Sequence, residues 1–287
     1  MRRKQPFQQT PRNWLCQAAG GAPDKGVGES KAKPGGEKLR REYIDPMSLA
    51  WLTRLKSHTR ALVPSSCAVC RAWPSTRLCN TCVGRFAQPV PRCGTCARTT
   101  GVPVARCGEC LHTLPPLDAC LAAVGYAYPW SGCITDYKFG NDPGWADALA
   151  TLLRSTPWVE PALETADLLL PMPLSVTRLR ERGFNQAVFL ARALAPDKLD
   201  SSLLLRIRDT PPQSSLDRAG RMRNLRGAFA VEPLRAHLLH GKRVVLVDDV
   251  MTSGASLYTA AAVLRQAGAA HITGLVVART EVGEPHP

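Results

Sequence analysis

Aromatic residues make up only 6% of this 287-residue chain, and acidic residues are few beside basic ones, 23 Asp+Glu against 37 Lys+Arg, a formal charge of +14. No apolar run reaches the roughly 20 residues needed to cross a bilayer. The best candidates are broken early, as in Leu168-Leu169-Leu170-Pro171, so no membrane span is expected. Arg2, Arg3 and Lys4 open the chain without an apolar stretch behind them, which excludes a secretory signal and leads to a cytoplasmic reading. Glycine and proline follow no period, so collagen-like and low-complexity classes are excluded for the chain as a whole. The Walker pattern GxxxxGK[ST] and the dinucleotide pattern GxGxxG are both missing. With 45% hydrophobic residues the chain can still bury a core.

Residues 1–46 hold ten Lys/Arg and five Asp/Glu among scattered Gly and Pro, with no apolar period. Such a stretch cannot bury enough surface to order itself, and it is expected to be a disordered basic extension. The competing reading is a nucleic-acid-binding tail. Residues 47–66 read as a short lead-in, with an amphipathic segment over Leu49 to Leu62.

Eight of the eleven cysteines form four CxxC pairs: Cys67/Cys70, Cys79/Cys82, Cys93/Cys96 and Cys107/Cys110. A reducing compartment disfavours disulfides and leaves metal ligation as the reading of regular spacing. One CxxC turn aims two thiolates at one ion, and two turns complete the closed tetrahedral shell that zinc prefers. Two structural zinc sites are therefore expected in residues 67–117, supplying folding energy that so short a segment cannot draw from a core. A redox pair or an iron–sulfur cluster is the rival, and four regular pairs argue against a lone redox CxxC. The spacing leaves open which pairs share an ion. Cys16, Cys120 and Cys133 stand alone and read as ordinary thiols.

Residues 118–280 have the length of one α/β domain, with 281–287 as a flexible tail. Apolar runs at Leu121 to Tyr126, Leu168 to Leu170, Val244 to Val247 and Ile272 to Val277 predict buried strands. Helical spacing covers Trp145 to Leu153, Gln186 to Leu194 and Ser256 to Gln266, with Gly268 placed to stop the third. This alternation predicts an α/β fold with a mainly parallel sheet and helices on both faces, preceded by the cysteine-rich module.

The chemistry concentrates in Val244-Val245-Leu246-Val247-Asp248-Asp249-Val250-Met251-Thr252-Ser253-Gly254-Ala255-Ser256. A buried strand here delivers two carboxylates to its carboxyl end, where ligands of open α/β sheets bind. A small hydroxyl-rich loop then leads into a helix, so backbone N–H groups and the helix dipole can hold a phosphate. Carboxylates beside a phosphate cradle would repel the phosphate unless a sugar lies between them, and a ribose 5-phosphate satisfies both.

That segment resembles the signature of the type I phosphoribosyltransferases, which bind 5-phosphoribosyl 1-diphosphate (PRPP). The resemblance implies that Asp248 and Asp249 hold the ribose hydroxyls and that Thr252, Ser253, Gly254, Ala255 and Ser256 hold the 5-phosphate. A narrower resemblance is to the ComF family of competence-related proteins, which join a double zinc ribbon to such a domain. It rests on the four CxxC pairs, Tyr137-Lys138-Phe139-Gly140, Pro171-Met172-Pro173-Leu174, Arg178-Leu179-Arg180-Glu181-Arg182-Gly183-Phe184-Asn185-Gln186 and the PRPP loop. Within this frame Arg178, Arg180 and Arg182 are expected on a diphosphate-binding loop that enters a helix at Asn185, since arginine forks bind phosphates bidentately. The rival reading is a solvated basic turn. Lys138 is a further candidate contact to diphosphate or acceptor. Arg206 to Arg226 corresponds to the family's flexible closing loop, or else to a surface for nucleic-acid backbones.

The resemblance implies transfer of phosphoribosyl from Mg²⁺-bound PRPP to an unidentified base or amine, with diphosphate as leaving group. The alternative, from a different class, is a non-catalytic PRPP- or nucleotide-sensing accessory of DNA uptake that binds single-stranded DNA or a competence-protein partner.

Overall fold

The computed structural model describes residues 65–208, 225 and 227–281. The basic extension, the Leu49 to Leu62 segment, Cys16, most of the Arg206 to Arg226 stretch and the last six residues lie outside the described residues.

Two short helices belong to the cysteine-rich module, α1 (Asn80–Phe86) and α2 (Gly108–His112), each beginning directly after a CxxC cysteine. The α/β domain follows as β1 (Ala119–Gly125), α3 (Trp130–Phe139), α4 (Trp145–Arg154), α5 (Val159–Thr165), β2 (Leu168–Pro171), α6 (Val176–Arg182), α7 (Gln186–Leu194), β3 (Leu204–Arg206), β4 (Phe229–Val231), a 3₁₀ turn (Pro233–Leu239), β5 (Arg243–Met251), α8 (Ala255–Gln266) and β6 (His271–Arg279). The main sheet has the order β1-β6-β5-β2 and every pairing in it is parallel. β3 and β4 form a separate antiparallel pair.

The apolar runs form strands because the sheet is covered on both sides, which lets successive residues all be buried. Val244 and Leu246 of β5 pack with Leu257, Ala261 and Leu264 of α8. Val245 and Val247 pack on the other side with Leu149 of α4 and Leu190 of α7. Leu149 and Leu190 are both fully buried, and truncating either to alanine would cost about 2–5 kcal/mol. Gly268 follows α8 at φ +97°, as its stop position predicts.

One expectation needs correction. Arg178, Arg180 and Arg182 lie on a helix, α6, and not on a loop. Ser175 caps it, its Oγ accepting from the Arg178 amide at 3.3 Å, and Gly183 closes it at φ +74°. The run between these caps is free of Gly and Pro, so the local signals for a single helical stretch are complete.

Among the described residues, no helix is long and apolar enough to cross a membrane.

Candidate functional site

The carboxyl edge of the sheet gathers the end of β5, the turn into α8, the last residue of β6 and the end of α3. β5 continues through both aspartates to Met251, so Asp248 and Asp249 leave the core while still held by strand pairing, Asp248 in register with Val276.

Asp249 is buried, and its Oδ1 lies 3.4 Å from the Lys138 ammonium on α3, which is also buried. Asp248 accepts from the Asp249 amide at 2.9 Å. Desolvation, and then the neighbouring Asp249 charge, push the Asp248 carboxyl up to about 7, while that amide, Lys138 and Arg182 oppose the shift. The edge therefore brings Asp248, Asp249, Lys138 and Arg182 into one electrostatic group.

The turn Thr252-Ser253-Gly254 joins β5 to α8. Gly254 sits at φ +81° as the helix N-cap residue. A Cβ there would lie 2.6 Å from the Met251 Cε and 2.7 Å from the Tyr258 ring, so the close packing as well as the dihedral calls for glycine. The Ala255 amide makes a long contact of 3.4 Å to Ser253 Oγ, and the Tyr258 amide bonds Gly254 O at 2.8 Å. Among the described residues, the amides of Thr252, Ser253, Gly254 and Ser256 have no hydrogen-bond acceptor. Unpaired amides at a helix start are what an anion requires.

Sequence reasoning missed Arg279. It ends β6, is 3% exposed, and donates to the carbonyls of Met251 (2.9 Å), Thr252, Thr280 (2.9 Å) and Cys96 (3.0 Å). The signal that could have found it is an arginine closing the buried run Leu275-Val276-Val277-Ala278.

The other candidates fall unequally around this edge. Arg182 stacks over Phe139, 5.4 Å to the ring centroid, and donates to Gln186 Oε1 at 3.1 Å. Arg180 is exposed and Arg178 half-buried on α6; neither is brought against the carboxylates. Asn185 caps α7 through the Ala187 amide at 3.0 Å and also donates to Met172 O at 3.1 Å, fixing that helix to the exit of β2. Of the aromatic residues between β1 and the end of α3, Tyr126, Trp130 and Tyr137 are core residues, Tyr137 donating to Gln186 O at 2.7 Å, whereas Tyr128 is exposed. A cavity of about 450 Å³ between α1, Trp158 and the β1 edge is lined in part by Cys93 but by none of the residues expected to bind PRPP.

The eight paired cysteines form two groups that could hold zinc ions, Cys67/Cys70/Cys79/Cys82 and Cys93/Cys96/Cys107/Cys110, with all ligand atoms of a group within 4.8 Å of one another. The open pairing question resolves to consecutive pairs. Burial raises the Cys67 thiol pKa, but the amides of Cys70, Cys79 and Val69 outweigh it and bring the thiol down to about 6. Cys93 is brought to about 7 by the same contest, with the amides of Thr95, Cys107 and Cys96 prevailing over desolvation. Cys82 is pushed the other way, up to about 12, and Cys96 and Cys110 are also raised, in each case by burial first and then by neighbouring thiols, so each group sets one thiol that favours thiolate beside others that favour the neutral form. Cys120 and Cys133 stay outside both groups, their thiols pushed by burial to about 12 and about 11.

A parallel sheet with this carboxyl edge is the architecture of a phosphoribosyltransferase-like domain, and the family model described as phosphoribosyl transferase domain matches residues 181–287. The chain belongs to the ComF family. It is 33% identical over 233 residues to the DNA utilization protein YhgH of Salmonella typhimurium, covering 76% of this chain and 98% of that protein. It is also 33% identical over 168 residues to competence protein F of Haemophilus influenzae (55% of this chain, 71% of the relative). Competence protein ComFC of Bacillus subtilis matches at 32% over 114 residues (39% and 45%).

Proposed function

We propose that the chain binds PRPP at this edge and transfers its phosphoribosyl group to a nitrogen of a base or amine, releasing diphosphate. The observation that carries the reading is the pairing of two strand-end carboxylates with a turn whose amides lack acceptors. The amides of Thr252, Ser253, Gly254, Ala255 and Ser256 and the nearby hydroxyls would take the 5-phosphate, while Asp248 and Asp249 accept from the ribose hydroxyls. Arg182, on the same electrostatic group, and Arg178 and Arg180 on α6 would face the diphosphate.

In the reaction the acceptor nitrogen's lone pair forms the new bond to C1 as the C1–oxygen bond breaks, and that electron pair leaves with diphosphate. No strong base is required. The chain's part is positioning and charge compensation. Mg²⁺ arriving with PRPP would neutralise diphosphate charge, taking most of its ligands from substrate and water, and the two carboxylates are oxygen donors that fit it. The cysteine groups would each hold a structural zinc.

The test is calorimetry of the full chain with ribose 5-phosphate and with PRPP, followed by assay of diphosphate release on adding candidate bases. Micromolar PRPP binding lost in the Asp248→Asn/Asp249→Asn double variant supports the site; undiminished binding removes it. A second reading rests on the relatives' names, which concern competence and DNA utilization: a PRPP-sensing accessory of DNA uptake. It predicts PRPP binding without diphosphate release, together with salt-dependent binding of single-stranded DNA by the full chain.

A further inference from the structure

We propose that Arg279 makes the second cysteine group part of the phosphate site, so that the grip of the turn at residues 251–256 depends on metal in Cys93/Cys96/Cys107/Cys110 and not on metal in Cys67/Cys70/Cys79/Cys82. The inference rests on the reading of that turn as a phosphate loop and names how the same site is regulated.

The Arg279 guanidinium is buried and makes no salt bridge among the described residues. All its hydrogen bonds go to backbone carbonyls, of Met251, Thr252 and Thr280 on one side and Cys96 on the other. In a planar trans peptide the carbonyl of one residue points opposite to the amide of the next. Drawing the Met251 and Thr252 carbonyls onto Arg279 therefore turns the Thr252 and Ser253 amides away from it, toward the open side of the turn. The Thr280 amide adds a second hold on Met251 O at 3.1 Å. A charge taken out of water and hydrogen-bonded to carbonyl dipoles also leaves positive potential behind the amides, which an anion would use.

The other end of the bridge is a metal-type knuckle. The Cys93 to Ala97 turn, closed by the Ala97 amide on Cys93 O at 2.9 Å, holds the Cys96 carbonyl toward Arg279, and Gly94 O accepts from the Cys120 amide on β1 at 2.8 Å. The thiols that would fix this turn are those of the second group. The first group docks elsewhere. Its neighbours Phe86 and Arg77 bind Trp130 Nε1 (2.9 Å) and Asp142, on α3 and the turn before α4. Arg279 is thus a positioning residue that joins one cysteine group, and only that one, to the turn.

The test uses the zinc-loaded full chain. Cys107→Ser/Cys110→Ser opens the second group without touching Cys96, and Cys67→Ser/Cys70→Ser opens the first. Two readouts are taken: affinity for ribose 5-phosphate by calorimetry, and hydrogen exchange of the ligand-free peptide spanning residues 251–256. Opening the second group should weaken binding at least tenfold and speed exchange in that peptide, while opening the first leaves both within threefold. Arg279→Met should reproduce the loss while metal analysis still returns two zinc per chain, and Arg279→Lys should fall between. If the second-group variant does not fold, Arg279→Met decides: unchanged affinity and exchange overturn the proposal. Equal losses on opening either group overturn it as well. If the unaltered chain fails to bind ribose 5-phosphate, the phosphate-loop reading falls, and exchange alone then decides whether the link to the second group exists.

Discussion

Replacing Gly254 by alanine tests the turn at its tightest point. The residue sits at φ +81°, and the left-handed backbone costs an alanine about 1–2 kcal/mol. The added methyl meets two neighbours at under 3 Å, and they differ in how easily they yield. Met251 Cε is the free end of a flexible side chain and can swing aside. The Tyr258 ring is 4% exposed and packed with α8, so it must move against the core, an overpacking cost of about 1–3 kcal/mol. The sum is about 2–5 kcal/mol, enough to move a urea midpoint by about 1 M or more. Because the strain falls where the amides must diverge around a phosphate, affinity for ribose 5-phosphate should fall more than tenfold even under conditions where the variant is fully folded. Urea unfolding followed by circular dichroism gives the first quantity and calorimetry the second. A variant with the unaltered midpoint and affinity would refute the account of the turn; a lowered midpoint with unaltered affinity would separate the packing from the binding and refute only the latter.

Asp248 carries a raised pKa, from 3.8 to about 7, so its contribution to stability is full below pH 3.8 and is lost as pH rises through about 7. Asp248→Asn should abolish that decline and leave the ligand-free protein more stable at pH 8 by up to about 4 kcal/mol, read from urea midpoints across pH 4–8. Lys138→Met leaves the Asp249 carboxylate buried without its partner and should cost about 3–5 kcal/mol, most of it recovered by adding Asp249→Asn; no loss in the single variant would show that the 3.4 Å pair is not what holds α3 to β5. Metal analysis should return two zinc per chain, falling to one in Cys107→Ser/Cys110→Ser, and chelation should lower the thermal midpoint; an unchanged midpoint on complete metal removal would contradict a structural role.

What was legible in the sequence follows the range of the forces involved. The four strands of the main sheet and helices α4, α7 and α8 come from contiguous apolar patterns and their stop signals, and each lies within two residues of its predicted start. β5 runs on past Val247 because the Asp248 backbone keeps its pairing with β6 whatever its side chain does. The aspartate pair and the turn were legible because seven consecutive residues carry them. Arg279 was legible only as a charge closing a buried strand; its carbonyl partners were not, since its bond to Cys96 spans 183 residues. The Lys138 pairing with Asp249 was hidden for the same reason, and the family resemblance offered Lys138 only as a contact to diphosphate or acceptor. α6 forms a helix where a loop was expected because Ser175 and Gly183 cap a run whose charged residues all tolerate helical backbone.

The packing also changes what the cysteine-rich module is. Read by spacing alone it is a separate ribbon whose fold depends on metal. In the structure Cys93, Cys96 and Cys110 are buried in the same apolar cluster as Leu257, Tyr258 and Leu264 of α8 and Ile272 and Val276 of β6. Metal held there would therefore deliver part of its folding energy to the face of the sheet that carries the turn at residues 251–256. An apolar cluster of this kind cannot lose one wall without exposing the others to water. Cys93, Cys96, Ala97 and Cys110 thus share an apolar cluster with α8 and β6, and a cut between residues 117 and 118 is expected to expose that cluster to water.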